Sequence, residues 1–281
     1  MSPLDNHRSS FIKNANSISN ELMDLLSDKN DDFGKLSKHL HAFIHERIDS
    51  LLLLVQGGCL WDADIIIRCI AEASVKLVYV STLATEEDRN SKALEFWNDL
   101  GEINQLKQSK QARQVLSETG VELEGIIMPE DEEKKLGEKW TKKVRKRTEH
   151  PWSYNEMIKF ISTETNKNEI LCLARNFTQS SHIIHADETA LGVIEDRKQR
   201  GEIERNILMI LHENRLLGDT ITFYQWILRV LLNLYKKDVK EYLQDDLNQF
   251  YKSSIEISQM HDILVDENQL EKLKKAIEEN K

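Results

Sequence analysis

Along most of the chain the apolar residues return every three to four positions, the period of an amphipathic helix. No stretch alternates with the period of two that marks a half-buried strand. Ser17 to Leu26 carries such a stripe and gives way to the polar stretch Ser27–Asp32. Leu36 to Val55 carries a second, halted at Gly57-Gly58, where a glycine just past the last apolar residue supplies a helix stop. The next helix is predicted to run to about Leu83, with Asp62 or Asp64 as its N-cap. Glu86 to Leu106 is more polar, anchored by Leu94, Phe96 and Trp97, and Gln108 to Pro129 is weaker, interrupted by Gly120 and Gly125. Helical periods return over Glu156–Ile161 and Glu169–His185. Glu202 to Tyr235 is the longest apolar-periodic segment; Asp238–Met260 follows it, then a charged, peripheral helix over Asp262–Lys281. No internal repeat is present. The pattern predicts one all-α domain, a helical bundle with its core at about residues 36–260.

Composition agrees with that expectation and narrows the function. Three Pro and 10 Gly in 281 residues are few for an architecture rich in turns. A net charge of −10 argues against non-specific coating of nucleic acid but allows a local basic site. One basic stretch stands out. After the acidic Glu130–Glu133 comes Lys134–Arg147, containing Lys139, Trp140, Lys142, Lys143, Arg145, Lys146 and Arg147, and His150-Pro151 then breaks the chain. Cations interleaved with aromatics suit a single-stranded nucleic acid, whose phosphates pair and whose bases stack. A solvated stretch balanced by its acidic neighbour has the same composition. Three separated cysteines with no CxxC pair, and no apolar leader over Met1–Asn16, lead to the expectation of a reduced, cytoplasmic protein. Leu51–Val55 is too short to span a membrane, and Ile65–Leu83 is interrupted by Arg68, Glu72 and Lys76. There is no P-loop, no GxGxxG after a strand, no GxSxG and no zinc-ribbon spacing.

Two helices carry candidate chemistry. On the first, Asp64, Arg68, Glu72 and Lys76 form an i, i+4 ladder of alternating sign, either self-paired at the surface or facing a pocket. On the second, Arg175, Thr178, Gln179 and His182 share one face, with Leu173, Phe177 and Ile184 opposite. A guanidinium two turns from an imidazole suits metal-free chemistry on a phosphate. The imidazole moves a proton and the cation neutralises charge on the phosphorus oxygens. The same spacing occurs at Arg205–His212, where the intervening Ile-Leu-Met-Ile-Leu reads as core, and a shorter one at Arg145–His150. His182 with His185, and His41 with His45, have spacings that could hold a metal. No further cluster completes either shell, so no metal or other cofactor is expected; His41–His45 reads as a partly exposed polar face.

At Arg68-Cys-Ile-Ala-Glu72 and Ser181-His-Ile-Ile-His185, over roughly Leu36 to Arg197, the chain resembles a family of uncharacterised all-helical bacterial proteins with an Arg-x-x-x-Glu helix and a Ser-x-x-x-His helix. On that pattern His185, with Ser181, is the matching histidine. The helical layout and Arg175-Asn176…His182 also resemble the HEPN group of metal-independent ribonucleases, on which reading His182 is central. That resemblance implies an RNA-directed effector of toxin–antitoxin or antiviral systems, acting as a homodimer, with Arg175, His182 or His185 in the reaction and Arg68 and Glu72 orienting them. The rival expectation is a non-catalytic interaction or regulatory subunit of a multi-protein system, in which the same charges fix helix packing.

Overall fold

Helices realise most of the predicted period among the described residues. In the computed structural model every element among the described residues is a helix. The structure describes residues 3–121, 123–171, 173, 184–185, 187–266, 271–272 and 275. In chain order the helices are α1 (Pro3–Leu26), α2 (Asp32–Gln56), α3 (Leu60–Ser81), α4 (Glu86–Leu94), α5 (Leu100–Thr119), α6 (Glu130–Lys139), α7 (Lys142–Glu149) and α8 (Tyr154–Thr165). Then come α9 (Glu188–Gln199), α10 (Glu202–Leu234), α11 (Glu241–Ser258) and α12 (Met260–Val265). No helix searched is long and apolar enough to cross a membrane. The chain divides into two compact units. The first is Met1–Asp28, Ser37–Val78 and Cys172–Lys281; the second is Lys29–Leu36 and Tyr79–Leu171.

In the first unit α1 packs on α10 and α11, which also pack on each other. Phe11, Ile18 and Leu22 of α1, Leu216 and Tyr224 of α10 and Phe250 of α11 are fully buried. Helix α1 starts fourteen residues before the stripe that predicted it, because its buried face includes the polar His7 and Asn14. Both are held. Asn14 donates to the carbonyl of Asp246, and His7 stacks on Phe250 at 4.7 Å with Nδ1 2.7 Å from the Ser253 hydroxyl. Helix α2 ends where Gly57-Gly58 predicted, with Gly58 at φ 72°, a conformation that suits glycine.

The second unit corrects two readings. Glu86–Leu106 is not one regular helix. A π-helical turn, Glu95–Asp99, joins α4 to α5, and α5 runs on to Thr119, capped by Gly120 at φ 72°. The π turn presents Glu95, whose Oε1 accepts from Lys92 Nζ and from Trp152 Nε1, each at 2.7 Å. The basic stretch forms two short helices. Helix α6 opens on four acids, Glu130–Glu133, matching the positive end of its dipole. Trp140 stands between α6 and α7, packed with Ile103 and Leu106 of α5.

The polar face expected at His41–His45 is half wrong. His45 is part-exposed, but His41 is buried, with Nε2 2.8 Å from the Tyr224 hydroxyl and 3.3 Å from that of Ser19. Burial, with the His45 charge beside it, lowers the His41 pKa from 6.5 to about 4, and burial alone lowers that of His7 to about 4. Both rings are therefore neutral in the folded protein and take a proton below pH 6.5 only when unfolded. Their contribution is full above pH 6.5 and is lost as pH falls towards 4, on the order of 3 kcal/mol for each. Urea unfolding at pH 7 and pH 4.5 should show a large drop in midpoint, and His41→Gln should make the drop smaller.

Candidate functional site

The charged centre of the first unit is built on one turn of α10. His212, Glu213, Asn214 and Arg215 are four consecutive polar residues inside a 33-residue, mostly apolar helix. Successive residues turn by 100°, so the four side chains leave in four directions. His212 Nε2 lies 2.6 Å from Oδ2 of Asp64 on α3, and Arg215 Nη2 donates to Oδ1 of the same carboxylate at 2.5 Å. Glu213 is gripped by both forks of the Arg8 guanidinium from α1. Asn214 donates to the Ser254 carbonyl and Ser258 hydroxyl of α11, at 3.1 and 3.0 Å.

Asp64 is the pivot. Its side chain is 3% exposed, yet it is ionised. Burial pushes its carboxyl up, but the hydrogen bond from His212 and the charge of Arg215 outweigh burial and hold it below the usual carboxylate range. An ionised carboxylate only accepts, so His212 carries its proton on Nε2 and donates it to Asp64. That leaves Nδ1 as the nitrogen that can exchange a proton in the neutral ring. Asp219, one turn beyond Arg215 and 3.2 Å from its Nη1, is pushed up by burial.

Trp61, His212 and Arg215 line an open cleft of about 880 Å³ whose walls come from the start of α3, from α9 and α10, and from His261 of α12. The Trp61 ring meets His212 edge-on at 4.3 Å, and the Arg197 guanidinium lies over Trp61 at 4.7 Å. Ile194, Leu208 and Met209 make the wall apolar, while Arg197, Lys198, Arg200 and Arg205 make it cationic. Arg200 is paired with Asp196. Among the described residues no three His, Cys, Asp or Glu side chains gather as metal ligands.

The expected site residues have separate fates. Arg175 and His182, with Ser181, lie outside the described residues; His185 is exposed. Of the ladder on α3, Glu72 and Lys76 pair at 2.7 Å, but Asp64 is neither a cap nor a rung, since both of its oxygens turn to α10. Arg68 is half-buried and is not without a partner. The core reading of Arg205–His212 is corrected. Arg205 is exposed and His212 faces the cleft, and of the six residues between them only Ile207 is buried. The signal in the sequence is the unbroken polar run His212–Arg215, which has no place on a simple amphipathic helix.

In the second unit Lys139 pairs with Glu102 at 2.6 Å, and the same carboxylate accepts from Trp140 Nε1 at 2.6 Å. Trp140 is 6% exposed, so its ring belongs to the core. Lys142, Arg145 and Lys146 line a separate concavity, and Lys143 and Arg147 are exposed beside them.

These features define an all-α protein with a carboxylate-held histidine in a cation-rimmed cleft. The chain belongs to a family of unknown function, DUF5677, whose description matches residues 34–201, more than half of its length. The match ends at Gly201, so Trp61, Asp64 and Arg197 fall inside it and Arg205, His212 and Arg215 beyond it. No curated protein and no solved structure matches the chain.

Asp64→Asn removes the charge that holds His212 and Arg215. The expected cost is about 2–3 kcal/mol in urea unfolding, less than for a fully buried pair because Arg215 is 44% exposed and regains water. A change within error would show that Asp64 does not anchor α3 to α10.

Proposed function

We propose that the protein is an RNA-directed effector of the HEPN type, cleaving RNA without a metal, in a prokaryotic defence or toxin–antitoxin setting. The observation that carries this reading is the Asp64–His212 pair opening into a cleft rimmed by Arg197, Lys198 and Arg205. Arg205 and His212 are spaced as an HEPN-type Arg–His pair, seven residues and roughly 10 Å apart along one helix face. Asp64 fixes the tautomer of His212, as a carboxylate does in a catalytic triad. Nδ1 then accepts the proton of a ribose 2′-hydroxyl. The 2′-oxygen attacks the adjacent phosphorus and the bond to the 5′-oxygen breaks, that oxygen taking up a proton from water. Arg205 neutralises the charge that builds on the phosphoryl oxygens. The products are a 2′,3′-cyclic phosphate and a 5′-hydroxyl. A homodimer and a partner protein from the same system belong to this proposal through the HEPN resemblance; the Arg175–His182 pair is the alternative centre that the same resemblance offers.

A second reading rests on the burial of Asp64 and Glu213. The polar turn of α10 then serves packing alone, and the protein is a non-catalytic interaction subunit.

Wild-type protein incubated with RNA in EDTA should leave 2′,3′-cyclic phosphate ends, and an RNA methylated at every 2′-oxygen should resist. Arg205→Ala should reduce cleavage at least a hundredfold with little change in thermal stability, because Arg205 is exposed and packs little core. Cleavage of the methylated substrate, or cleavage that stops in EDTA, would remove the mechanism. Full activity in Arg205→Ala would remove Arg205 from it.

A further inference from the structure

We propose that the concave face between α5 and α7, in the second unit, is a separate anion site that grips the phosphate backbone of single-stranded RNA. The choice of RNA rests on the reading above; the anion site does not. The concavity, of about 450 Å³, is lined by Lys107, Lys142, Arg145, Lys146, Glu149 and His150. Lys107 and Glu149 neutralise each other as an ion pair. Lys142, Arg145 and Lys146 form no ion pair among the described residues. They stand at i, i+3 and i+4 of one short helix, so three unbalanced cations share one face on a protein of net charge −10. Lys142 and Lys143 also occupy the first turn of α7, where a cation opposes the helix dipole. Arg145 Nε is buried and has no acceptor. Each of these unfavourable terms is relieved by one kind of ligand, a group of phosphoryl oxygens set into the concavity.

The same surface argues for backbone recognition rather than base reading. The aromatic rings of this stretch, Trp140 and Trp152, are 6% and 7% exposed and offer no platform for a base. A lipid surface is a poorer fit. Between α6 and α8 no large apolar side chain is exposed among the described residues, and interfacial binding needs apolar anchors beside the cations. Three phosphate contacts on a single strand give a slope of about −2 in log affinity against log salt.

The test is fluorescence anisotropy of a labelled, fully 2′-O-methylated RNA 20-mer, which the proposed chemistry cannot cut, with the full-length protein in EDTA. Wild type should bind with a salt slope near −2. Lys142→Gln/Arg145→Gln/Lys146→Gln should weaken binding at least tenfold with unchanged circular dichroism, while Lys237→Gln/Lys252→Gln, at exposed lysines that line neither concavity, should bind as wild type does. Vesicles of anionic lipid and inorganic phosphate at matched ionic strength should compete poorly. Absence of binding, affinity indifferent to the triple substitution, a flat salt dependence, or displacement by vesicles or phosphate at lower charge concentration than RNA would each overturn the proposal. None of those results touches cleavage at His212, which has its own assay.

Discussion

The first unit hangs on a constraint that is polar rather than apolar: the single turn His212–Arg215 of α10 must satisfy four side chains that leave the helix in four directions. A buried polar group without a partner costs a few kcal/mol, so the buried Glu213 and Asn214, and the buried Asp64 that faces His212 and Arg215, each demand a neighbour. Glu213 fixes α1 through Arg8, Asn214 fixes α11 through Ser254 and Ser258, and His212 with Arg215 fixes α3 through Asp64. Apolar packing of α1, α10 and α11 supplies the bulk of the burial but tolerates small slides and rotations. The polar turn selects one register from those that the apolar faces allow. It also leaves His212 preorganised, with one nitrogen committed to Asp64 and the ring at the edge of an open cleft.

A polar turn that packs inside an apolar helix leaves little trace in a hydrophobic pattern. The apolar period leads to the helices where the buried face is apolar, as in α10 beyond Thr220, or where the stop is a glycine of positive φ, as at Gly58. It failed where polar residues are buried. His7 and Asn14 hid the first half of α1, His41 passed for a surface residue, and Asp64 passed for a helix cap although it lies in the second turn of α3. Arg205–His212 was set aside because five apolar residues separate the pair. Apolar identity does not place a residue inside: Met209, in the middle of that run, is 42% exposed and forms part of the cleft wall. What an isolated sequence does not carry is which partner each buried charge meets across the fold. Asp64 and His212 are 148 residues apart.

Charge is distributed to match. Two concave surfaces, one in each unit, gather cations on this acidic protein. They differ in character. The cleft of the first unit pairs cations with an apolar wall and a histidine held by a carboxylate, which suits a ligand with both a flat and an anionic part. The concavity of the second unit has cations without an exposed aromatic ring, which suits a backbone alone.

The central claim is that His212, rather than a histidine of the Arg175–His185 stripe, moves the proton. The most direct test compares RNA cleavage in EDTA by His212→Ala with cleavage by the double variant His182→Ala/His185→Ala, both checked for native helicity. The account predicts that His212→Ala is inactive and that the double variant keeps most of its activity. An active His212→Ala beside an inactive double variant would contradict it and move the reaction to the stripe.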